Sequence, residues 1–181
     1  SLSRHFEKQV LPVLTPVAVD PSHPFPILAN GTVEILVALR SSESGERTCA
    51  FVEVPKVLPR FVDVERGAED GERHVLLLED LIIANIGDLF SGCDILEAVP
   101  LRITRDMDFN INEEGAADLL QHREKQLRRR RRRAPVRVEI RRDASRGTAE
   151  WIRRSLDVEK ASVYRLPRFL DLSACFDLYD P

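Results

Sequence analysis

Two stretches of this sequence hold side chains that could do chemistry. Asp20 and His23 stand three residues apart in the segment Leu14-Thr-Pro-Val-Ala-Val-Asp-Pro-Ser-His-Pro-Phe-Pro-Ile-Leu-Ala-Asn30. A carboxylate within reach of an imidazole can orient it as a general base. The same pair suits a plainer role, in which Asp20 makes an Asx-type turn before Pro21 and His23 packs or hydrogen-bonds. No nucleophile, second acid or glycine nest accompanies the pair, so the plainer role is favoured and no catalytic residue is assigned. The second stretch is an unbroken run of Arg128, Arg129, Arg130, Arg131, Arg132 and Arg133. At about 100° per residue these arginines sweep all sides of a helix, so at least its last turn projects from the core. The run is either a solvated helix end whose cations offset the C-terminal dipole, or a grip on a polyanion helped by Arg123, Lys125, Arg137, Arg141 and Arg142.

Other chemistries lack residues. Cys49, Cys93 and Cys175 lie far apart and are odd in number, which offers neither a disulfide framework nor the close-paired spacing of a zinc site. His5, His23, His74 and His122 are equally scattered and form no HExxH, so no metal site is expected. No GxxxxGK[ST] is present. The net charge of -3 hides an asymmetry: residues 1–120 carry 10 basic and 21 acidic side chains, and residues 121–181 carry 17 and 9. Anionic partners should therefore meet the C-terminal third. Only four of the 27 basic residues are Lys; this reflects either a compositional bias toward Arg or phosphate recognition by its planar fork. A free-standing nucleic-acid-binding module is the rival reading. Against it, residues 110–150 contain no Phe, Trp or Tyr to serve as a stacking platform.

The elements that must position these residues follow from pattern. Residues 3–10 read as a short helix with Phe6 and Val10 on one face. Five of the eleven prolines fall between Pro12 and Pro26, which makes that stretch an ordered extended segment. After the Asn30-Gly31 turn, Thr32 to Arg40 is an apolar run suited to a covered strand, and Arg47 to Val54 completes a hairpin. Arg60–Val64 and Arg73–Glu79 repeat the hairpin logic. Glu79-Asp80 open a helix running to Phe90, Ile95 to Arg105 is a long strand, and Asn112 caps a helix that reaches toward Pro135. Val136 to Arg142 alternates strictly. Thr148 is expected to cap a helix through Leu156, before a short strand near Ser162–Leu166 and a helical turn near Leu172–Phe176. Hairpins mixed with helices, without regular βα alternation, predict one α+β domain with a mixed or largely antiparallel sheet.

At 181 residues, 43% hydrophobic and 31% charged, the chain can bury a proper core. No apolar run approaches the roughly 20 residues of a membrane span. The N-terminus has no apolar signal-peptide region, and without an initiating Met the chain reads as a piece of something longer. Reduced thiols and a cytoplasmic location are expected.

Leu14-Thr15-Pro16, Ala18 to Pro21, His23-Pro24-Phe25-Pro26 and Asn30 resemble the start of the central, or head, domain of polyphosphate kinase. The likeness continues at Val54-Pro55, Leu58 to Phe61, Leu78 to Ile82, Asn85, Asp88 to Phe90 and the Arg-rich helix leading into Val136 to Glu139. It departs where the family commonly has Phe-Gly after the arginines; Arg132-Arg133 stand there and remove the usual left-handed helix cap. The resemblance implies an ATP:polyphosphate phosphotransferase that works through a phosphohistidine, with those histidines in a part of the enzyme absent from this chain. It implies that Thr15, Pro16, Asp20, His23, Pro24, Phe25, Pro26 and Asn30 are structural. It also implies a scaffold and dimer contact that binds no cofactor itself, ATP and Mg2+ belonging to the whole enzyme, with polyphosphate as a possible ligand of the arginines.

The arginine run yields a measurable expectation. If it grips polyphosphate through four to six phosphates, binding should weaken with salt at a log-log slope of about -3 to -4, and joint replacement by Gln should flatten that slope. Single-stranded RNA competing equally per phosphate would reduce the contact to nonspecific attraction.

Overall fold

The computed structural model of the chain describes residues 2–19, 25–64, 74–105 and 135–178. Asp20, His23, Pro24 and the run Arg128 to Arg133 lie outside them, as does the helix expected from Asn112. Among the described residues there are eight strands: β1 (Pro16–Val19), β2 (Val33–Ser41), β3 (Arg47–Glu53), β4 (Phe61–Asp63), β5 (Val75–Leu77), β6 (Cys93–Arg105), β7 (Pro135–Arg141) and β8 (Val163–Leu166). The α-helices are α1 (Leu2–His5), which runs into a π-helical turn over Phe6–Val10, α2 (Leu78–Ala84) and α3 (Arg146–Ser155).

Six strands form one sheet in the order β1-β3-β2-β6-β7-β8, and β4 pairs with β5 in a separate hairpin. All pairs are antiparallel except β7 with β8. The fold is α+β with a mixed sheet. Central β2 is covered on both faces, as its apolar run requires. Val33, Ile35, Val37 and Leu39 pack with Phe6, Val10, Leu78, Leu81, Ile82 and Leu170 on one face. Leu36 packs with Phe51, Leu101, Ile140 and Ile152 on the other. These are termed the α2 face and the α3 face.

The ordered extended segment expected in the proline-rich stretch is, over Pro16–Val19, a strand: β1 pairs with β3, and Pro16 is tolerated because it opens an edge strand, where no partner needs its missing N–H. Two other local expectations are corrected. The helix expected to reach Phe90 stops at Asn85, whose Nδ2 donates to the Leu81 carbonyl at 2.8 Å, and a 3-10 turn over Ile86–Leu89 follows. That side chain competes with the backbone ladder, as Asn commonly does within a helix. Ser145, not Thr148, is the N-cap of α3. Its Oγ accepts from the Thr148 amide at 3.1 Å, while Glu97 of β6 accepts from the Ser145 amide at 2.6 Å and from the Thr148 hydroxyl.

One buried polar residue interrupts the α3 face. Glu34 is 5% exposed and lies opposite Glu53 across the β2–β3 pair. Burial, reinforced by the Glu53 charge, pushes its carboxyl up to about 7. Because the folded value lies above the unfolded one, the protonated acid suits the fold, and stability is lost as pH rises from about 4.5 to about 7. Glu34→Gln removes that penalty. The variant should match the parent near pH 4 and exceed it by up to roughly 3 kcal/mol at pH 8, as measured by urea unfolding across pH.

Candidate functional site

The titratable side chains that the fold gathers lie on the α2 face, where strict alternation along β7 puts Arg137, Glu139 and Arg141 on one side of the sheet. Register sets Glu139 opposite Arg102 of β6. Arg137 Nε donates to Glu139 Oε1 at 2.7 Å, and Arg102 Nη1 lies 3.5 Å from Glu139 Oε2. Asp171 continues the series, 3.6 Å from Arg102 and 3.7 Å from Arg60. Arg60 closes it with a two-pronged contact to Glu79, Nη2 to Oε1 at 2.6 Å and Nε to Oε2 at 3.1 Å. Beside this chain of contacts, Arg141 donates to Asp80 and to Asp143, each at 2.8 Å.

Each member arrives by a local cause. Glu79 and Asp80 occupy the first turn of α2, where negative charge is favourable. Arg60 precedes β4, and its carbonyl accepts from the Leu78 amide at 2.7 Å, which sets its side chain against the start of α2. Asp171 follows the fully buried Leu170 and takes a left-handed backbone at φ 62°, a conformation Asp tolerates better than most residues. There its carbonyl also accepts from Arg60 Nη1 at 3.2 Å. Arg102 Nε donates to the carbonyl of Gly31, whose φ of +70° disfavours any other residue at that turn.

Burial works against the charge on Arg60 and Arg141. Their carboxylate partners outweigh it, Glu79 with Asp171 for the first and Asp143 with Asp80 for the second, and raise both guanidinium values further. On the opposite side of the molecule, hydrogen bonds from Arg153 and Arg154 hold the Glu150 carboxyl down to about 2. The network's geometry is that of a tie. Among the described residues, no group of three or more His, Cys, Asp or Glu is placed to hold a metal ion.

Two grooves border this network. One of about 510 Å³ is lined by residues that include Lys56, Val57, Arg60, Asp171, Ser173 and Asp177. The other, of about 610 Å³, involves Leu2, His5, Gln9, Phe61 and Asp63.

The residues singled out from sequence fall elsewhere. Thr15 is exposed before β1, and Pro16 opens that strand. Phe25 sits edge-on to Phe51 with centroids 5.1 Å apart and 5.6 Å from Trp151, beside the half-buried Pro26. Asn30 Oδ1 accepts from the Arg105 amide at 2.8 Å, pinning the turn into β2 to the far end of β6. Arg137 and Arg141, expected to help the arginine run, are engaged internally: Arg137 also stacks on Tyr164 at 3.9 Å from the ring centre. Arg60, Glu79, Arg102, Glu139 and Asp171 were missed as a set. Their only sequence signal is polar alternation in β6 and β7, which assigns a face without revealing what covers it.

A mixed six-stranded sheet with helices on both faces, tied by buried charge, defines the class of domain. The family model described as polyphosphate kinase middle domain matches residues 1–178, and the chain belongs to that family. The polyphosphate kinase of Mycobacterium ulcerans is 43% identical over 183 residues, covering 98% of this chain and 25% of its own length. That of Exiguobacterium sibiricum is 42% identical over 175 residues, covering 96% and 24%. The crystal structure of polyphosphate kinase from Porphyromonas gingivalis shares the fold at a TM-score of 0.75 and 24% identity, over 99% of this chain and 25% of that one. The chain thus spans about a quarter of the length of these relatives. No helix among the described residues is long and apolar enough to cross a membrane.

Glu79 is 2% exposed and Arg60 12%, so removing one partner strands a buried charge. Glu79→Ala should destabilise the chain by about 3 kcal/mol, and Arg60→Met with Glu79→Leu by much less, as read from denaturant midpoints.

Proposed function

We propose that this chain is the non-catalytic middle domain of an ATP:polyphosphate phosphotransferase, working as a scaffold and as a contact between subunits of the whole enzyme. The observation that carries this reading is the match over residues 1–178 to the polyphosphate kinase middle domain, within relatives four times as long. The fold supports it: the charges that converge are spent on one another and tie β4, α2, β6, β7 and the Asp171 segment into one rigid body. A scaffold needs that rigidity to hold other domains in place.

ATP and Mg2+ belong to the reaction of the whole enzyme. The carboxylates that converge among the described residues do so on guanidinium groups, an arrangement unsuited to the oxygen cage Mg2+ takes. Contact between Arg128 to Arg133 and polyphosphate belongs to the same reading and rests on a local excess of positive charge between residues 121 and 154, 14 basic side chains against 4 acidic. The three cysteines, free in the structure, accord with a cytoplasmic setting.

The test is enzymatic. Purified chain incubated with ATP and Mg2+ should form no polyphosphate, whereas a longer polypeptide that includes it should. Turnover by the isolated chain that disappears in His23→Ala would overturn the reading and restore Asp20 and His23 as a catalytic pair.

A further inference from the structure

Most described arginines are spent on carboxylates. Those of the charge series are, and Arg40, Arg153, Arg154 and Arg168 each meet one as well. Arg142, Arg146 and Arg165 meet none among the described residues, and all three are exposed. Arg4 and Arg47 also meet none, but they lie on α1 and β3.

Backbone bonds gather the trio. β7 ends at Arg141, and the turn that follows leads into α3 at Arg146. The Arg142 amide donates to the Leu166 carbonyl of β8 at 2.7 Å, and the Ala144 amide closes the turn on the Arg141 carbonyl at 3.1 Å. Arg165 Nη2 donates to the Arg142 carbonyl at 2.8 Å and to the Ala144 carbonyl, which pins its guanidinium against the turn between Arg142 and Arg146. The acids beside the turn are already committed: Asp143 accepts from Arg141, and Glu97 accepts from the Ser145 amide and the Thr148 hydroxyl. Like charges held together in this way, with no carboxylate to offset them, favour an anion.

The residue type narrows the anion. A guanidinium presents a planar fork that takes two oxygens of one phosphate, and Arg165 uses only Nη2 on the carbonyls, leaving Nε and Nη1 for a ligand. The three groups stand on an exposed turn and a neighbouring strand, so linked phosphates can meet more of them than a single phosphate can. Nucleobases would also want an aromatic platform. The aromatic side chains of the adjoining elements are engaged elsewhere: Tyr164 lies under Arg137, and Trp151 packs with Phe25 and Phe51.

We infer that Arg142, Arg146 and Arg165 form a binding site for condensed inorganic phosphate, distinct from the Arg128 to Arg133 run. The site stands on these guanidinium groups, and the choice of condensed phosphate among polyanions rests on the proposed function.

Inorganic polyphosphate titrated into the purified chain at several salt concentrations tests it. Arg142→Gln with Arg146→Gln should weaken binding about tenfold and flatten the log-log salt slope by about 1.4, the share of two phosphate contacts on a single strand. Adding Arg165→Gln should weaken it further. The pair leaves the Arg165 bonds to the turn in place, so it tests the site even where the triple variant fails to fold. The same losses are expected in a chain whose Arg128 to Arg133 are replaced by Gln, which separates the two clusters. Arg4→Gln with Arg47→Gln removes equal charge elsewhere and should leave binding within about twofold, because exposed charges far from the ligand are screened. Undetectable binding by the parent chain, no loss in the first pair, or equal losses in both pairs would overturn the site. Single-stranded RNA that competes equally per phosphate would overturn condensed phosphate as its ligand. Losses confined to the first pair, together with a longer polypeptide that makes no polyphosphate, would overturn the functional reading and leave the site standing.

Discussion

A buried arginine cannot be left alone, and much of this domain is arranged around that constraint. Arg60 lies almost out of water on the α2 face, where an unpaired guanidinium would cost several kcal/mol. Glu79 meets it with both oxygens, and Asp171 adds its carbonyl and its charge. Arg102 and Glu139 extend the ties to β6 and β7. Segments more than a hundred residues apart are thereby brought to one place. Apolar packing alone would tolerate small shifts of α2 or of the Leu170 segment, but paired charges at hydrogen-bond distance do not. A slip of β7 by one residue would turn Glu139 to the opposite face and break the series.

The α3 face is organised differently. Its core is apolar and aromatic, with Phe25, Phe51 and Trp151 in mutual contact. Its one exacting polar device is the start of α3, where Glu97 from a neighbouring strand supplements the Ser145 cap. The chain segment before β2 spans this face. Its Phe25 fills the aromatic cluster and its Asn30 fastens the turn to β6, which gives the distinctive His-Pro-Phe-Pro stretch a packing role in the residues described.

Both arrangements hold the sheet and its covering elements in one shape. The charge series holds the segment at Asp171 through Arg60 and Arg102. The sheet edges are short: β1 begins with Pro16, and β8 has four residues. Short edges of this kind limit adventitious strand pairing.

Much of the architecture was legible in the sequence because local patterns report local geometry. The nearly continuous apolar run from Val33, broken only by Glu34, suited a strand covered on both faces, and the alternation from Val136 to Arg142 placed its side chains correctly on two faces. The signature from Thr15 to Asn30 pointed to the family on its own. Tertiary structure decided what no window of sequence contains. Alternation told that Arg137, Glu139 and Arg141 share a side, but not that α2 and Asp171 would cover that side and make its polar residues partners. Cap choice at Ser145 depended on Glu97, 48 residues earlier. The parallel pairing of β8 with β7 depended on how α3 packs between them in the chain. Periodicity is set by the backbone over a few residues, whereas ion pairing and strand order are set by which distant surfaces exclude water together, and only the folded chain brings those surfaces into contact.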